Sequence, residues 1–120
     1  MQYKIGDIIF ASKGTKIQDE DEIKSHLFVI IDDDGNVVPA DYFGFVVSSR
    51  LEKSKTNSRF KFNEPILKNE SNNLKVNSIV KCDQLLSIPS KNINKKIGTV
   101  SDEEMTRFLN SFQNYITENT

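Results

Sequence analysis

The segment SDEEMTRFLNSFQNYI, residues 101–116, constrains the fold more than any other part of the sequence. Ser101 is a typical N-cap residue, and Glu104 follows at the spacing of a capping box. The acidic residues at 102 and 103 suit the positive end of a helix dipole. Apolar side chains then recur at helical spacing, at Met105, Phe108, Leu109, Phe112 and Ile116. The pattern predicts an amphipathic C-terminal helix whose apolar stripe must be covered by something else.

The apolar runs that precede this helix are short and rich in β-branched and aromatic residues, as strands are. They predict a first strand over about 7–11, a second over 27–31, one or two strands within 37–51, and another within 77–88. The Asp-Gly pair in DDDGN predicts a turn after the second strand. Pro39 cannot donate to a strand ladder, so it marks an edge, a bulge or a break.

Polar segments separate these runs. We expect a mobile loop over about 13–24, a short strand at FKF (60–62), an irregular link over 63–75, and a loop or one helical turn over 89–96. Several short strands followed by one helix predict a mainly β fold, a small barrel or sheet that carries a terminal helix.

The composition limits the possible classes of protein. A length of 120 residues with 37% hydrophobic and 28% charged residues predicts one globular domain, residues 1–120. The net charge of -1 means that any nucleic-acid site must be a local basic patch. Cys82 is the one cysteine, which excludes an internal disulfide and a cysteine-rich zinc site, and no motif predicts a metal or cofactor. Without a signal peptide or a membrane-spanning run, we expect a cytoplasmic protein with no membrane partner.

The segment VKCDQLLSIPSKNINKKIGTVSDEEMTRFLNSF, residues 80–112, resembles the C-terminal part of the MazF/PemK toxin family. GDIIFA resembles the opening strand of that family, LFVII falls at its second strand, and FVVSS falls where a strand ends in Thr or Ser. The resemblance implies an SH3-like small barrel, a homodimer, and a toxin that cleaves single-stranded RNA without a metal. It also implies a cognate antitoxin, for which we expect a protein rather than the RNA antitoxin of ToxN-like members.

The same resemblance points to a catalytic cation just before the second strand. The family has an Arg there, usually followed by Pro, whereas this chain reads Lys24-Ser25-His26. Alignment of the apolar run places that Arg at Ser25 or, with a shift of one residue, at Lys24. We assign the phosphate-stabilising role to Lys24 because only Lys24 brings the charge, although Lys lacks the guanidinium fork of Arg. In an extended chain His26 would lie on the same side as Lys24, and its imidazole titrates near neutral pH. His26 is therefore either a proton-transfer residue or a half-buried strand residue on the face of Phe28.

The family's catalytic Thr or Ser corresponds to Ser48, with Ser49 as the alternative after a shift of one residue. This hydroxyl would bind or orient the scissile phosphate. Ser48 and Ser49 would lie on opposite faces of a strand, so the register decides between them.

The segment RLEKSKTNSRFK, residues 50–61, is the densest basic stretch besides NINKK. We expect single-stranded RNA to follow its cationic side chains, with Tyr42, Phe43 or Phe45 either stacking on bases or packing in the core. The predicted RNA-binding residues are Arg50, Lys53, Lys55 and Arg59.

A second hypothesis keeps the fold but not the nuclease. In this alternative the protein is a gyrase-directed poison like the CcdB relatives, or an inactive nucleic-acid-binding module. The missing Arg-Pro pair motivates it.

Overall fold

The computed structural model describes residues 2–50 and 60–120. Within these two ranges seven strands precede one helix, and a 3₁₀ turn, Ser90–Asn92, lies before the last strand. No helix in these two ranges is long and apolar enough to cross a membrane. The elements are β1 Asp7–Lys16, β2 Glu22–Asp33, β3 Asp41–Ser48, β4 Asn63–Ile66, β5 Ser78–Lys81, β6 Leu86–Pro89, β7 Ile93–Thr99 and α1 Asp102–Glu118.

Four of the strands close into a ring. β1 pairs with β2 and β6, β3 pairs with β6 and β2, and every pairing is antiparallel. β5 and then β4 continue the sheet from the C-terminal end of β3, and β7 pairs with β1. The predicted fold class, a mainly β SH3-like small barrel with a C-terminal helix, is confirmed.

The core lies on both faces of the strands because side chains alternate between them. One cluster fills the ring, and the other lies between the sheet and α1. The cluster inside the ring includes Ile9, Phe28, Ile30, Tyr42, Val46, Leu86 and Ile88. The cluster under the helix includes Ile8, Val29, Phe45, Val47, Val80, Cys82 and Phe108. Tyr42 and Phe45 are therefore core residues and not exposed stacking rings.

The predicted helix start is confirmed. The Ser101 hydroxyl accepts a hydrogen bond from the Glu104 backbone N–H at 3.1 Å, and the Glu104 carboxylate accepts one from the Ser101 N–H at 2.9 Å. Phe108 is fully buried, but Leu109 is 39% exposed and Ile116 is 38% exposed. The fold of one chain thus covers only part of the apolar stripe.

The helix also covers one edge of the sheet. Among the described strands β4 is the last on its side, so its outer backbone groups would face solvent if nothing lay over them. The Ser111 hydroxyl donates to the Phe62 carbonyl oxygen at 2.8 Å, and the Arg107 guanidinium donates to the Pro65 carbonyl oxygen. Arg107 also lies 3.5 Å from the buried Glu64 carboxylate.

The prediction of a mobile loop over 13–24 is wrong. β1 continues to Lys16 and β2 begins at Glu22, so only 17–21 connect the two strands. Lys13 and Glu22 form a 3.0 Å ion pair. The polar ends of β1 and β2 are strands because they pair with each other. The hydrophobic pattern of the sequence does not indicate this pairing.

Four further predictions need correction. FKF at 60–62 is not a strand, and the irregular link contains β4. The single strand expected over 77–88 is two strands, β5 and β6, separated by a turn at 82–85. The helical turn predicted after Pro89 exists, but β7 follows it where a loop was expected. β7 alternates weakly and pairs with β1 through two register shifts, which explains why its sequence does not look like a strand.

Candidate active site

A cavity of about 350 Å³ opens where β1, β2, β3 and β7 meet the β4–β5 loop, residues 67–77. Its lining combines an apolar surface with a set of polar and cationic groups. The apolar residues are Phe10, Leu27, Val47, Leu74, Val76 and Ile97, and the polar ones are His26, Ser49, Asn73, Lys75, Ser78 and Lys95. An apolar wall with a few convergent polar groups is the usual form of a ligand site.

His26 lies on β2, paired with Ala11 of β1, and its ring packs edge-on to Phe28 with 6.3 Å between ring centroids. Burial lowers the pKa of His26 below its ordinary value, and the positive charge of Lys81 lowers it further. The Leu27 backbone N–H donates to Nδ1 at 3.0 Å, which favours the neutral tautomer with its proton on Nε2. His26 is therefore both a half-buried strand residue and a neutral imidazole in the cavity wall.

The two candidate serines have different surroundings. Ser48, the last residue of β3, is only 4% exposed, and its hydroxyl accepts a hydrogen bond from the Arg50 backbone N–H at 3.2 Å. Ser49 follows the strand, is exposed, and lines the cavity together with His26. The geometry favours Ser49 over Ser48 for contact with a bound phosphate.

Lys24 lies on β2, paired with Lys13, and it is exposed. It does not line the cavity that contains His26. The expectation that the two side chains share one side assumed an extended chain, but Ser25 between them has a positive φ of 45°. Lys24 is thus two residues from His26 in the sequence but is not part of the cavity wall.

Two cationic residues of the cavity, Lys75 and Lys95, were missed from the sequence. Lys95 lies in the NINKK stretch, which is basic enough to have been considered. Lys75 lies in the segment predicted to be an irregular link, where nothing in the sequence indicates its proximity to His26. Both side chains belong to exposed residues, so their ammonium groups can stay hydrated until a ligand binds.

The β4–β5 loop that supplies Lys75 is held by a fully buried residue, Asn72. The Asn72 side chain accepts hydrogen bonds from the Asn69 and Leu74 N–H groups, both at 3.0 Å, and donates to the Leu67 carbonyl oxygen at 2.8 Å. The loop packs directly on Gly98 of β7, where an added Cβ would overlap the Asn72 backbone. This wall of the cavity is therefore built before any ligand arrives.

The predicted RNA-binding residues lie next to this region in the sequence. Arg50 is exposed and directly follows Ser49. The other three, Lys53, Lys55 and Arg59, lie outside the described residues.

A larger groove of about 550 Å³ runs beside α1 and β4, lined by charged, amide and hydroxyl side chains such as Lys61, Glu64, Arg107 and Asn110. It contains no imidazole, and Arg107 is already engaged by Glu64 and Pro65. We therefore place the candidate site in the smaller cavity. Within 2–50 and 60–120, no group of three His, Cys, Asp or Glu side chains could hold a metal ion.

The chemistry available in the cavity is that of an anion site with a proton acceptor. Two ammonium groups attract a phosphate, a hydroxyl can hydrogen-bond to its oxygens, and a neutral imidazole can accept a proton. The apolar wall can pack against a base.

Comparisons with known proteins agree with this fold. Solved structures that are similar include an endoribonuclease from a mycobacterial species, with a TM-score of 0.67, 9% identity, and coverage of 96% of this chain and 91% of that chain. The Mycobacterium tuberculosis toxin MazF-mt6 gives a TM-score of 0.63 and 15% identity, covering 92% of this chain and 96% of that chain. A mycobacterial endoribonuclease in complex with its cognate antitoxin gives a TM-score of 0.65 and 11% identity, covering 97% of this chain and 96% of that chain.

A search of curated protein sequences gives no significant match. Residues 4–116 match the family model described as PemK-like, MazF-like toxin of type II toxin–antitoxin system. This match covers nearly the whole chain, and the resemblance found in the sequence is confirmed. The chain belongs to the family of PemK-like, MazF-like toxins of type II toxin–antitoxin systems.

Proposed function

We propose that this protein is a metal-independent endoribonuclease that cleaves single-stranded RNA. The 2′-oxygen attacks the adjacent phosphorus, the bond to the 5′-oxygen breaks, and the products carry 2′,3′-cyclic phosphate and 5′-hydroxyl ends. The observation that carries the proposal is that four polar or cationic residues line the same cavity, namely His26, Ser49, Lys75 and Lys95. The endoribonuclease descriptions of the similar solved structures support it.

His26 is the proposed proton acceptor for the 2′-hydroxyl. Its lowered pKa keeps the ring neutral at neutral pH, which is the form that a general base needs. Accepting the proton at Nε2 requires the ring to exchange to the Nδ1–H tautomer, and this exchange gives up the hydrogen bond from Leu27.

Ser49, Lys75 and Lys95 are proposed to contact the phosphate. The ammonium groups neutralise the charge that builds up on the phosphorane, and the hydroxyl orients its oxygens. The departing 5′-oxygen takes a proton from an ammonium group or from water. Lys24 and Ser48, which the family resemblance indicates, remain candidates for the same roles, and the two sets are separable by mutation.

Arg50, Lys53, Lys55 and Arg59 are proposed to bind the RNA backbone beyond the scissile bond. Arg50 continues the chain directly from Ser49, which supports a path for the backbone away from the cavity. Contacts of this kind contribute a salt-dependent affinity that does not depend on the base sequence.

The proposed partners are a cognate protein antitoxin and a second copy of the chain. The type II family supports a protein antitoxin over an RNA antitoxin. The half-exposed residues Leu109 and Ile116 on α1 support a homodimer that covers the rest of the apolar stripe. We infer a cytoplasmic location, where messenger RNA and such an antitoxin would both be present.

The test is incubation of the purified protein with a long RNA in excess EDTA, followed by analysis of the product ends. We expect cleavage, cyclic phosphate ends, and no cutting where the scissile residue carries a 2′-deoxy or 2′-O-methyl group. Growth arrest without RNA cleavage would reject the nuclease and favour the gyrase-directed alternative. Strict dependence on magnesium, or cutting of the modified strand, would reject the 2′-oxygen mechanism.

A further inference from the structure

Asn73 lies in the cavity wall, and both its backbone and its side chain are held in a defined conformation. Its φ is 55°, a left-handed conformation that Asn adopts more readily than most residues. It follows the buried Asn72 that holds the β4–β5 loop, so its backbone is fixed from one side by that network.

The side-chain amide of Asn73 is fixed as well. Nδ2 donates to the Ile97 carbonyl oxygen at 3.1 Å, and Ile97 also lines the cavity. A carbonyl oxygen can only accept, so the nitrogen of the amide must face it, and this removes the usual ambiguity between the amide oxygen and nitrogen. No donor among the described residues reaches Oδ1, so this oxygen remains available to a ligand.

The neighbours of Asn73 indicate what the ligand presents there. Leu74, Val76 and Ile97 supply apolar surface, whereas Lys75 and Lys95 supply the cations. In the proposed function the cations hold the phosphate, and the apolar part is left for the base of one nucleotide. An amide at the side of a base site offers a fixed donor and acceptor to the edge of that base.

From this arrangement we infer that Asn73 is the specificity-determining residue of the site and reads the Watson–Crick edge of one unpaired base adjacent to the scissile phosphate. The inference deepens the proposed function and rests on it for the identity of the ligand as RNA. Its physical basis is preorganisation, because an amide held by Ile97 does not have to be ordered when the base binds. Because the Watson–Crick edge must be free, the same contact excludes paired RNA.

The decisive variant is Asn73→Gly. Glycine adopts a positive φ without strain, so the backbone of the loop is kept while the amide is removed. The matched control is Glu20→Gly, since Glu20 has a φ of 63° and lies in the β1–β2 connection, outside the cavity. Melting curves of both variants confirm that the proteins are folded before any comparison.

The measurement is the base preference at each position around the cut, read from the product ends of a randomised RNA pool. In Asn73→Gly we expect the preference at one position to fall on the order of tenfold, with the other positions unchanged. Glu20→Gly should keep the wild-type profile. Asn73→Asp cannot donate to the Ile97 carbonyl oxygen, so the group that reads the base is no longer held in place and the wild-type preference at that position should fall as well.

A second measurement separates this inference from the nuclease itself. Affinities of fluorescent 2′-O-methyl oligonucleotides that differ at one base report the same preference without cleavage. If the wild-type protein cleaves RNA but Asn73→Gly keeps every base preference, or Asn73→Asp keeps the wild-type one, the inference is overturned and the proposed function stands. If the protein binds with an Asn73-dependent base preference but never cleaves, the inference holds and the nuclease proposal fails. If it binds no RNA, both fail.

Discussion

Ser48→Ala and Ser49→Ala make the same chemical change at adjacent positions, and the structure predicts opposite consequences. Ser48 is 4% exposed and its hydroxyl accepts the Arg50 N–H at 3.2 Å. Ser49 is exposed and lines the cavity. The first substitution should therefore affect stability, and the second should affect catalysis.

The expected loss of stability follows from that hydrogen bond. Removing the acceptor from Ser48 should cost about 1 kcal/mol of unfolding free energy, the net value of one hydrogen bond. With an unfolding entropy of about 2.1 cal/mol/K per residue, a chain of this length should melt about 4 °C lower. Ser49→Ala removes an exposed hydroxyl and should change stability by less than about 0.5 kcal/mol.

The expected loss of activity has the reverse order. If the Ser49 hydroxyl orients the phosphate in the transition state, Ser49→Ala should lower kcat/KM roughly 100-fold, the scale of one lost transition-state contact. Ser48→Ala, assayed well below its melting temperature, should stay close to the wild-type rate. Circular-dichroism melts give the stabilities, and a fluorogenic oligonucleotide with one scissile ribonucleotide gives the rates.

The reasoning would be refuted by the exchanged pattern. If Ser48→Ala lost turnover with an unchanged melting temperature while Ser49→Ala resembled the wild type, the phosphate could not be bound in this cavity as proposed. The position indicated by the family resemblance would then be the functional one.

Three other predictions concern the same site and the assembly. The proton-acceptor role of His26 requires the neutral ring, so kcat/KM should be constant at neutral and higher pH and fall as the pH drops through the lowered pKa. His26→Gln should remove that limb and cost on the order of 100-fold, and an unchanged limb in the variant would exclude His26 as its source. Lys95→Ala should lower kcat/KM on the order of 100-fold, whereas Lys91→Ala, an exposed lysine outside the cavity, should not; equal effects would indicate general charge attraction only. Light scattering should give a mass of about 27 kDa, twice the 13.7 kDa chain, and a monomer mass at high micromolar concentration would contradict the homodimer.

The fold could be predicted where the signal is local. The capping box and the helical spacing of Phe108 and its neighbours depend only on nearby residues, so the helix was predicted with its correct start. The polar ends of β1 and β2 are strands because they pair with each other, and no local property of Lys13 or Glu22 reports this. β7 is an extreme case, since its ladder with β1 contains two register shifts.

The site could be predicted only in part for a related reason. His26 and Ser49 precede and follow recognisable apolar strands, so their neighbourhood was indicated by the sequence. Asn73 and Lys75 reach the cavity through a loop whose path is determined by the buried Asn72 and by Gly98 of a strand distant in sequence. Contacts of that kind are tertiary and leave no periodic pattern.

The hydrogen bonds from α1 side chains to the edge of β4 have a consequence for partial unfolding of the protein. Ser111 and Arg107 occupy carbonyl groups that would otherwise be open to an extended segment of another chain. Detachment of the helix would uncover the apolar surface around Phe108 and this backbone edge in the same event. The docked C-terminal helix therefore protects the folded chain against aggregation. A partly unfolded molecule with the helix detached would expose an apolar surface and an open strand edge, the two features that promote irreversible association.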